Sequence, residues 1–155
     1  MNYRVIGLEP APFRQFFQLG DDELATFGAK RVIADGPNAF PCRVSLEDAA
    51  PGEELLLLPY RHHTGPSPYQ ASGPIYVRRN AETRHDSVNA IPRMQLRRLC
   101  SVRAYGASGD LAVADVVPGT ELEALLLRFL DRPDVSEIHV HNARPGCFAF
   151  RVERA

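Results

Sequence analysis

The sequence predicts an α+β fold, a mainly antiparallel sheet with one well-defined amphipathic helix at about residues 120–131 and short N-terminal helical segments packed on it. Strand-like runs outnumber helical ones, and short turns join most of them, which is typical of antiparallel sheets. A chain of 155 residues with 45% hydrophobic and 24% charged residues has the size and balance of one globular domain. We therefore predict a single domain over residues 1–155.

The first quarter of the chain predicts a strand, two short helices and a second strand. Residues 3–8 are the first strand-like run, and the phenylalanines within residues 13–17 then fall on one helical face. Acidic residues 21–23 suit the start of a second helix because they oppose the positive end of its dipole. Residues 31–34 are a brief strand-like run that a turn follows.

Two further strands are predicted before residue 60. Cys42, Val44 and Leu46 alternate with polar residues, which indicates a strand with one buried face and gives Cys42 a buried apolar role. The leucine run at residues 55–58 has no polar alternation. Such a run suits a strand that is covered on both faces, so we expect a central strand there.

A polar loop follows this central strand and lasts until the strand-like residues 75–77. Loops of this length are uncommon inside compact domains and are usually either functional or disordered. The prolines of the loop argue against disorder. We therefore predict that the 62–74 loop lines a ligand pocket through His62, His63, Ser67 and Tyr69.

Residues 80–131 supply a loop, a hairpin and the clearest helix. Residues 80–92 are predicted as an exposed loop, and two strands within residues 97–117 form a hairpin. Thr120 and Glu123 match a capping box at the start of the helix. An apolar stripe at helical spacing predicts that this helix packs on the sheet; its members are Leu122, Leu125, Leu126, Phe129 and Leu130.

The last two strands, residues 136–141 and 147–153, are joined by a five-residue loop. Closing that loop symmetrically places His141 opposite Cys147 and Glu137 opposite Arg151. One face of the hairpin would then be apolar, with Ile138, Val140, Phe148 and Phe150. The other face would carry Glu137, His139, His141, Cys147, Ala149 and Arg151.

This polar face suits three chemistries. His139, His141 and Cys147 are suitable ligands for zinc or another borderline metal. Alternatively, His141 could draw a proton from Cys147 and make it a nucleophile. As a third option, His139, His141 and Arg151 could bind an anion. The alternative without function is a polar strand at a sheet edge or facing solvent.

Both polar groups lie at strand ends, so we hypothesise that the loop from His62 to Tyr69 folds over the face that carries His139 and His141. Adjacent residues of an extended chain point to opposite sides, so at most one of His62 and His63 is expected in a given site. The predicted ligand-binding set is His62, His63, Ser67, Tyr69, His139, His141, Asn142, Cys147 and Arg151.

Composition excludes several partners. With 18 basic and 19 acidic side chains, the net charge of -1 gives no general attraction to nucleic acid or to anionic membranes. No apolar run approaches the roughly 18 residues that span a bilayer, and the N-terminus lacks the apolar segment of a signal peptide. Three widely spaced cysteines predict reduced thiols. We expect a cytoplasmic protein.

Four segments carry a resemblance to a known family: PCRV at residues 41–44, LLLLPYRHH at 55–63, SPY with GPI within 67–75, and HVHNARPGC at 139–147. On these segments, which extend over most of the chain, the sequence resembles the bacterial domain-of-unknown-function family 1203. The resemblance implies a bacterial, cytoplasmic, single-domain protein and no particular activity.

We therefore predict a small module whose pocket, between the 62–74 loop and the strand with His139 and His141, binds a small polar or anionic molecule. The alternative is a metal-dependent or cysteine-dependent hydrolase that uses His139, His141 and Cys147. A third interpretation is an interaction protein that pairs with a second copy through a sheet face or an edge strand. The sequence does not decide between an enzyme and a binding protein, and it names no cofactor.

Overall fold

The computed structural model describes residues 1–155 and contains two antiparallel sheets and four short helices. In chain order, the strands are β1 (Tyr3–Ile6), β2 (Lys30–Ile33), β3 (Glu54–His63), β4 (Ala71–Arg78), β5 (Asp86–Val88), β6 (Leu99–Tyr105), β7 (Leu111–Pro118), β8 (Glu137–Asn142) and β9 (Phe148–Arg154). The helices are α1 (Ala11–Arg14), α2 (Asp21–Thr26), α3 (Arg93–Leu96) and α4 (Leu122–Leu130). None of them is long and apolar enough to cross a membrane.

The predicted α+β class is confirmed, but the strands form two sheets instead of one. The large sheet has the order β5-β1-β9-β8-β6-β7, and the small sheet has the order β2-β3-β4. Strand β5 lies within residues 80–92, which were predicted as an exposed loop, and it pairs with β1. That part of the loop prediction is wrong because three residues without apolar alternation still complete a sheet edge.

Helix α4 packs on one face of the large sheet through the predicted stripe, all five members of which are buried. The predicted capping box is wrong. A 3₁₀ turn at Gly119–Glu121 precedes the helix, and its N-cap residue, Glu121, makes no side-chain cap. The carboxylate of Glu123 instead accepts a hydrogen bond of 2.7 Å from the Tyr3 hydroxyl, which ties α4 to β1.

The small sheet carries the N-terminal helices. Phe13 of α1 and Leu24 of α2 share an apolar cluster with Leu56, Leu58 and Ile75 of the sheet. The leucine run lies in β3, between β2 and β4, so the predicted central strand is confirmed.

Strand β3 is longer than predicted, because it continues through Pro59 to His63. The ladder with β2 ends at Leu57, so beyond that residue β3 has an open side. A proline is tolerated where no hydrogen bond is required of its nitrogen, and Pro59 pairs with Pro74 of β4. The predicted loop over residues 62–74 is therefore too long, since only residues 64–70 connect the two strands.

The strand predicted around Cys42 is also wrong. Leu46 has a left-handed backbone with φ of 52°, and its amide donates to the Cys42 carbonyl at 3.0 Å. The segment is therefore a tight turn. The burial that the alternation predicted is nevertheless correct, since Cys42, Val44 and Leu46 are all buried.

Candidate metal centre

His139 and His141 lie on β8, in the interior of the large sheet between β9 and β6. Both are buried, with 2% and 1% of their surface exposed. They face the small sheet, where the ring centroid of His62 lies 6.1 Å from that of His139 and 4.9 Å from that of His141. The alternative of a polar strand at an edge or facing solvent is therefore wrong.

The hairpin of β8 and β9 departs from the predicted register first at its loop and again within β9. Its ladder skips Ala149, so His141 pairs with Phe148. This is a β-bulge, which places two residues of one strand against one of the other. The predicted pairing of His141 with Cys147 is wrong. Phe148 turns its ring toward His141, with 5.8 Å between ring centroids, and Ala149 joins the core on the opposite face.

Beyond the bulge, β9 lies two positions from the predicted register, because the loop accounts for one position and the bulge adds another. His139 pairs with Arg151, where Glu137 was predicted. A shift of two residues keeps side chains on their face, so Arg151 and Glu137 remain neighbours, with 3.9 Å between Nη1 and Oε2.

A second bulge brings both adjacent histidines of β3 into the site. The ladder between β3 and β4 passes from Arg61 to His63 and skips His62. Bulges re-aim side chains, and the rings of His62 and His63 lie 6.1 Å and 5.5 Å from that of His139. The expectation that at most one of them joins the site is wrong.

Three of these rings could hold a metal ion together. His62, His139 and His141 each offer one ligand nitrogen within 4.8 Å of the others. Three buried ring nitrogens have no hydrogen-bond partner: His62 Nδ1, His139 Nδ1 and His141 Nε2. A buried polar atom without a partner costs about 1–3 kcal/mol. In a tetrahedral zinc site the ligand nitrogens are about 3.4 Å apart. A small movement of the three rings would bring their nitrogens to this spacing.

The second nitrogen of two of the rings is engaged, which fixes the tautomer. His141 Nδ1 donates to the Gly146 carbonyl at 3.1 Å, so Nε2 keeps its lone pair. His139 Nε2 lies 3.4 Å from Glu137 Oε1, so Nδ1 keeps its lone pair. Metal-binding histidines almost always have such a carbonyl or carboxylate behind them.

His62 and His141 are uncharged at neutral pH, as metal ligands must be. Burial, with the neighbouring His139 as the next cause, lowers the pKa of His62 to about 4. Burial, followed by the charge of Arg103, lowers the pKa of His141 to about 3. The hydrogen bond from His139 lowers the pKa of Glu137, which keeps that carboxylate ionised.

A second group, His63, Glu137 and His139, also has its ligand atoms within 4.8 Å of one another. Its atoms are already engaged, however. His63 Nε2 bonds to the Gly109 carbonyl at 2.8 Å, and its ring stacks on Tyr105 with 4.1 Å between centroids. We therefore assign the candidate metal site to His62, His139 and His141, and we interpret His63 and Glu137 as residues that hold the surroundings of His139 in place.

A cavity of about 690 Å³ adjoins the histidines and is lined by His62, His63 and His139. Its charged lining is balanced, with three arginines and three glutamates: Arg61, Arg84, Arg151, Glu9, Glu137 and Glu153. Without a bound cation, this cavity has no built-in preference for an anion.

The loop between β3 and β4 covers the site with its first half only. Gly65 and Pro66 line the cavity beside His139, whereas Ser67 and Tyr69 do not. The Ser67 hydroxyl donates to the Gly109 carbonyl at 2.8 Å, which pins the loop to the turn between β6 and β7. Tyr69 is 46% exposed.

Cys147 and Asn142 lie outside the histidine cluster, in the lining of a different cavity. The Cys147 sulfur accepts hydrogen bonds from Arg43 Nη2 at 3.0 Å and from Asn142 Nδ2 at 3.6 Å. No hydrogen bond joins it to His141. The predictions of Cys147 as a metal ligand or as a nucleophile activated by His141 are therefore wrong, because the bulge at Ala149 removes Cys147 from the histidine face.

Residues 39–154 match the model of a family described as protein of unknown function, DUF1203. The chain belongs to this family. The resemblance seen in the sequence is confirmed, and all four clustered histidines lie within the DUF1203 match. No curated protein and no solved structure matches the chain.

Two residues of this DUF1203 chain were missed as site residues by sequence reasoning. Glu137 was noted as a partner of Arg151, but its place behind His139 depends on the fold. Arg43, only 1% exposed, follows Cys42 in an alternating run where a polar residue is expected to face solvent. No signal in the sequence distinguishes it from a surface arginine.

Proposed function

We propose that this protein binds a divalent transition-metal ion, with zinc as the first candidate, through His62, His139 and His141. The observation that carries the proposal is the group of three buried imidazole nitrogens without partners. Three histidines with a fourth, open position are a ligand set of catalytic zinc sites. Imidazole also suits copper and nickel, so the ligands alone favour a borderline metal over magnesium or calcium.

The charges around the site favour an additional ligand on the metal. Three neutral imidazoles leave the double charge of the ion uncompensated, and the nearby Arg103, whose charge lowers the pKa of both His62 and His141, adds to it. Glu137 offsets one charge from behind His139. A water, hydroxide or small anion would therefore complete the coordination from the cavity side, which supports the small polar or anionic ligand predicted for this pocket.

The test is a zinc titration of chelator-treated protein in competition with a chromogenic chelator. We expect one equivalent of zinc to bind, and we expect His141→Ala to weaken binding at least about 100-fold, because a first ligand matters more than the 10–100-fold of its supporting residues. His85→Ala is the matched control, since His85 bonds to Ser87 at 2.8 Å and belongs to neither histidine group. Wild-type protein that binds no zinc, or His139→Ala and His141→Ala variants that bind zinc as tightly as the wild type, would contradict the proposal.

Metal-dependent hydrolysis is a second candidate, favoured by the large cavity beside two of the ligands. A zinc-bound water has a pKa near 7 and is a potent nucleophile at neutral pH. Zinc-loaded protein should then hydrolyse 4-nitrophenyl acetate faster than the metal-free protein and faster than His141→Ala in zinc. Zinc binding with no gain in this rate would indicate that the protein binds the metal without this hydrolytic activity.

The family resemblance and the three free cysteines support a bacterial, cytoplasmic protein.

A further inference from the structure

A second cavity, of about 580 Å³, lies beside the turn that connects β8 and β9. Four arginines and no acidic residue line it: Arg43, Arg97, Arg98 and Arg144. The net charge of the whole chain is only -1, so this is a marked local excess of positive charge. A cavity with one sign of charge attracts ligands of the other.

Most of this positive charge is not neutralised within the protein. Arg98 forms an ion pair of 2.6 Å with Asp48. Arg43, Arg97 and Arg144 form no ion pair, and the one side chain that Arg97 bonds is the neutral Asn38. Three of the four guanidinium groups therefore carry a positive charge that no acidic side chain of the protein neutralises.

Arg43 is the least compensated of the three, because it is 1% exposed. Its guanidinium donates to the Phe148 carbonyl at 2.7 Å, to the Pro41 carbonyl and to the Cys147 sulfur at 3.0 Å. These bonds engage three of its five N–H groups and bring no negative charge. A buried charge without a counter-charge is costly, and burial lowers the pKa of Arg43. An anion in the cavity would supply the negative charge that the protein itself does not place beside Arg43.

We propose that this second cavity binds a small organic oxyanion, a carboxylate or phosphate group attached to an apolar body. Arginine forks hold such groups through paired hydrogen bonds. The rest of the lining is suited to the body of the ligand, since it includes Tyr76, Leu57 and Pro74. This site is separate from the histidine cluster and does not depend on metal binding.

Cys147 supplies a probe of the charge inside this cavity. It lines the cavity and is half-buried, whereas Cys42 and Cys100 are fully buried. Iodoacetate and iodoacetamide alkylate a thiol in the same way. The sulfur attacks the methylene carbon, a C–S bond forms, the C–I bond breaks, iodide leaves and the thiol proton passes to buffer. The ratio of the two rates cancels the reactivity of the thiol and reports the preference for a negative reagent.

We expect the ratio of iodoacetate to iodoacetamide rates at Cys147, located by peptide mass spectrometry, to exceed that of N-acetylcysteine by about tenfold at low salt. The excess should shrink with added sodium chloride. Arg144→Ala removes an exposed arginine of the lining and should reduce the excess several-fold. Arg14→Ala is the matched control, an exposed arginine outside this lining. A ratio equal to that of N-acetylcysteine, or equal effects of the two variants, would overturn the proposal.

Protection of Cys147 from iodoacetamide identifies the anionic group. Phenyl phosphate, phenylacetate and neutral phenylacetamide share an aromatic body, and each is added at the same ionic strength. Protection by phenyl phosphate alone assigns a phosphate site, and protection by phenylacetate alone assigns a carboxylate site. Protection by both assigns a general oxyanion site. Equal protection by all three compounds, or by none, would refute the proposal.

Discussion

Two adjacent residues of β3, His62 and His63, occupy different chemical environments. His63 Nε2 is bonded to the Gly109 carbonyl at 2.8 Å, and its ring is stacked on Tyr105. His62 Nδ1 is buried without any partner. A satisfied ring gains little from a metal, whereas an unsatisfied one recovers the cost of its unpaired nitrogen. The two histidines should therefore differ in their importance for metal binding.

We expect His62→Ala to weaken zinc binding by about 100-fold or more, and His63→Ala to change it by less than about fivefold. The measurement is the chelator competition described above, with circular dichroism to verify the fold of each variant. The opposite ranking would move the ion to the group of His63, Glu137 and His139.

The sequence could predict part of this cluster. His139 and His141 alternate with apolar residues, so their common face follows from the period of a strand. The convergence of His62 and His63 could not be predicted, because it results from a skipped residue in the β3–β4 ladder. Cys147 was misplaced for the same reason in the last hairpin.

At the scale of elements, the errors for the His62–His63 pair and for Cys147 have one origin, the rule that successive side chains of a strand point to opposite faces. That rule assumes a regular ladder, and a single inserted residue reverses the face of every residue up to the next irregularity. Helix α4 has no such ambiguity, since its apolar stripe repeats over two turns, and all five of its members are buried as predicted. The start of α4, in contrast, depends on a contact with α3 that lies outside the helix.

Gly119 is the point of this contact. A Cβ on Gly119 would lie 1.9 Å from the carbonyl oxygen of Gln95, and the next two nearest atoms, at 2.8 and 2.9 Å, also belong to the backbone of α3. Because backbone cannot rotate away, Gly119→Ala must separate α3 from the start of α4. We expect a loss of about 1–3 kcal/mol or more in the free energy of unfolding, measured by urea denaturation.

Gly36→Ala is the control for this substitution, since a Cβ there meets nothing within 4 Å. It should leave the free energy of unfolding within about 0.5 kcal/mol of the wild-type value. Equal stability of the two variants would show that the α3–α4 contact can adjust without cost.

At the scale of the whole molecule, the layers are α4, the large sheet and the small sheet. The sequence predicted the class and the position of α4, but it predicted one sheet. Hydrophobic pattern reports that a face is buried and does not report what covers it. The face of β8 that carries His139 and His141 was therefore expected to lie under the loop from His62 to Tyr69, whereas His62, at the end of β3 in the small sheet, packs against it.

The proposed metal site joins these two sheets, because His62 belongs to the small sheet and His139 and His141 belong to the large one. A ligand that binds only the folded state stabilises it by about 2.7 kcal/mol at a concentration 100 times its dissociation constant. For a chain of this length, each kcal/mol raises the melting temperature by about 2–4 °C. Saturating zinc should thus raise the melting temperature of the wild-type protein by about 5–10 °C.

His62→Ala removes the single metal ligand that the small sheet contributes, so zinc should raise its melting temperature by less than about 2 °C. His85→Ala should respond as the wild type does, since His85 Nε2 bonds to Ser87 and the residue belongs to neither metal-ligand group. Differential scanning calorimetry with and without zinc gives all three shifts. An equal zinc-induced rise in melting temperature for His62→Ala and the wild type would mean that any bound zinc is held by one sheet alone. This result would contradict a metal site shared by the two sheets.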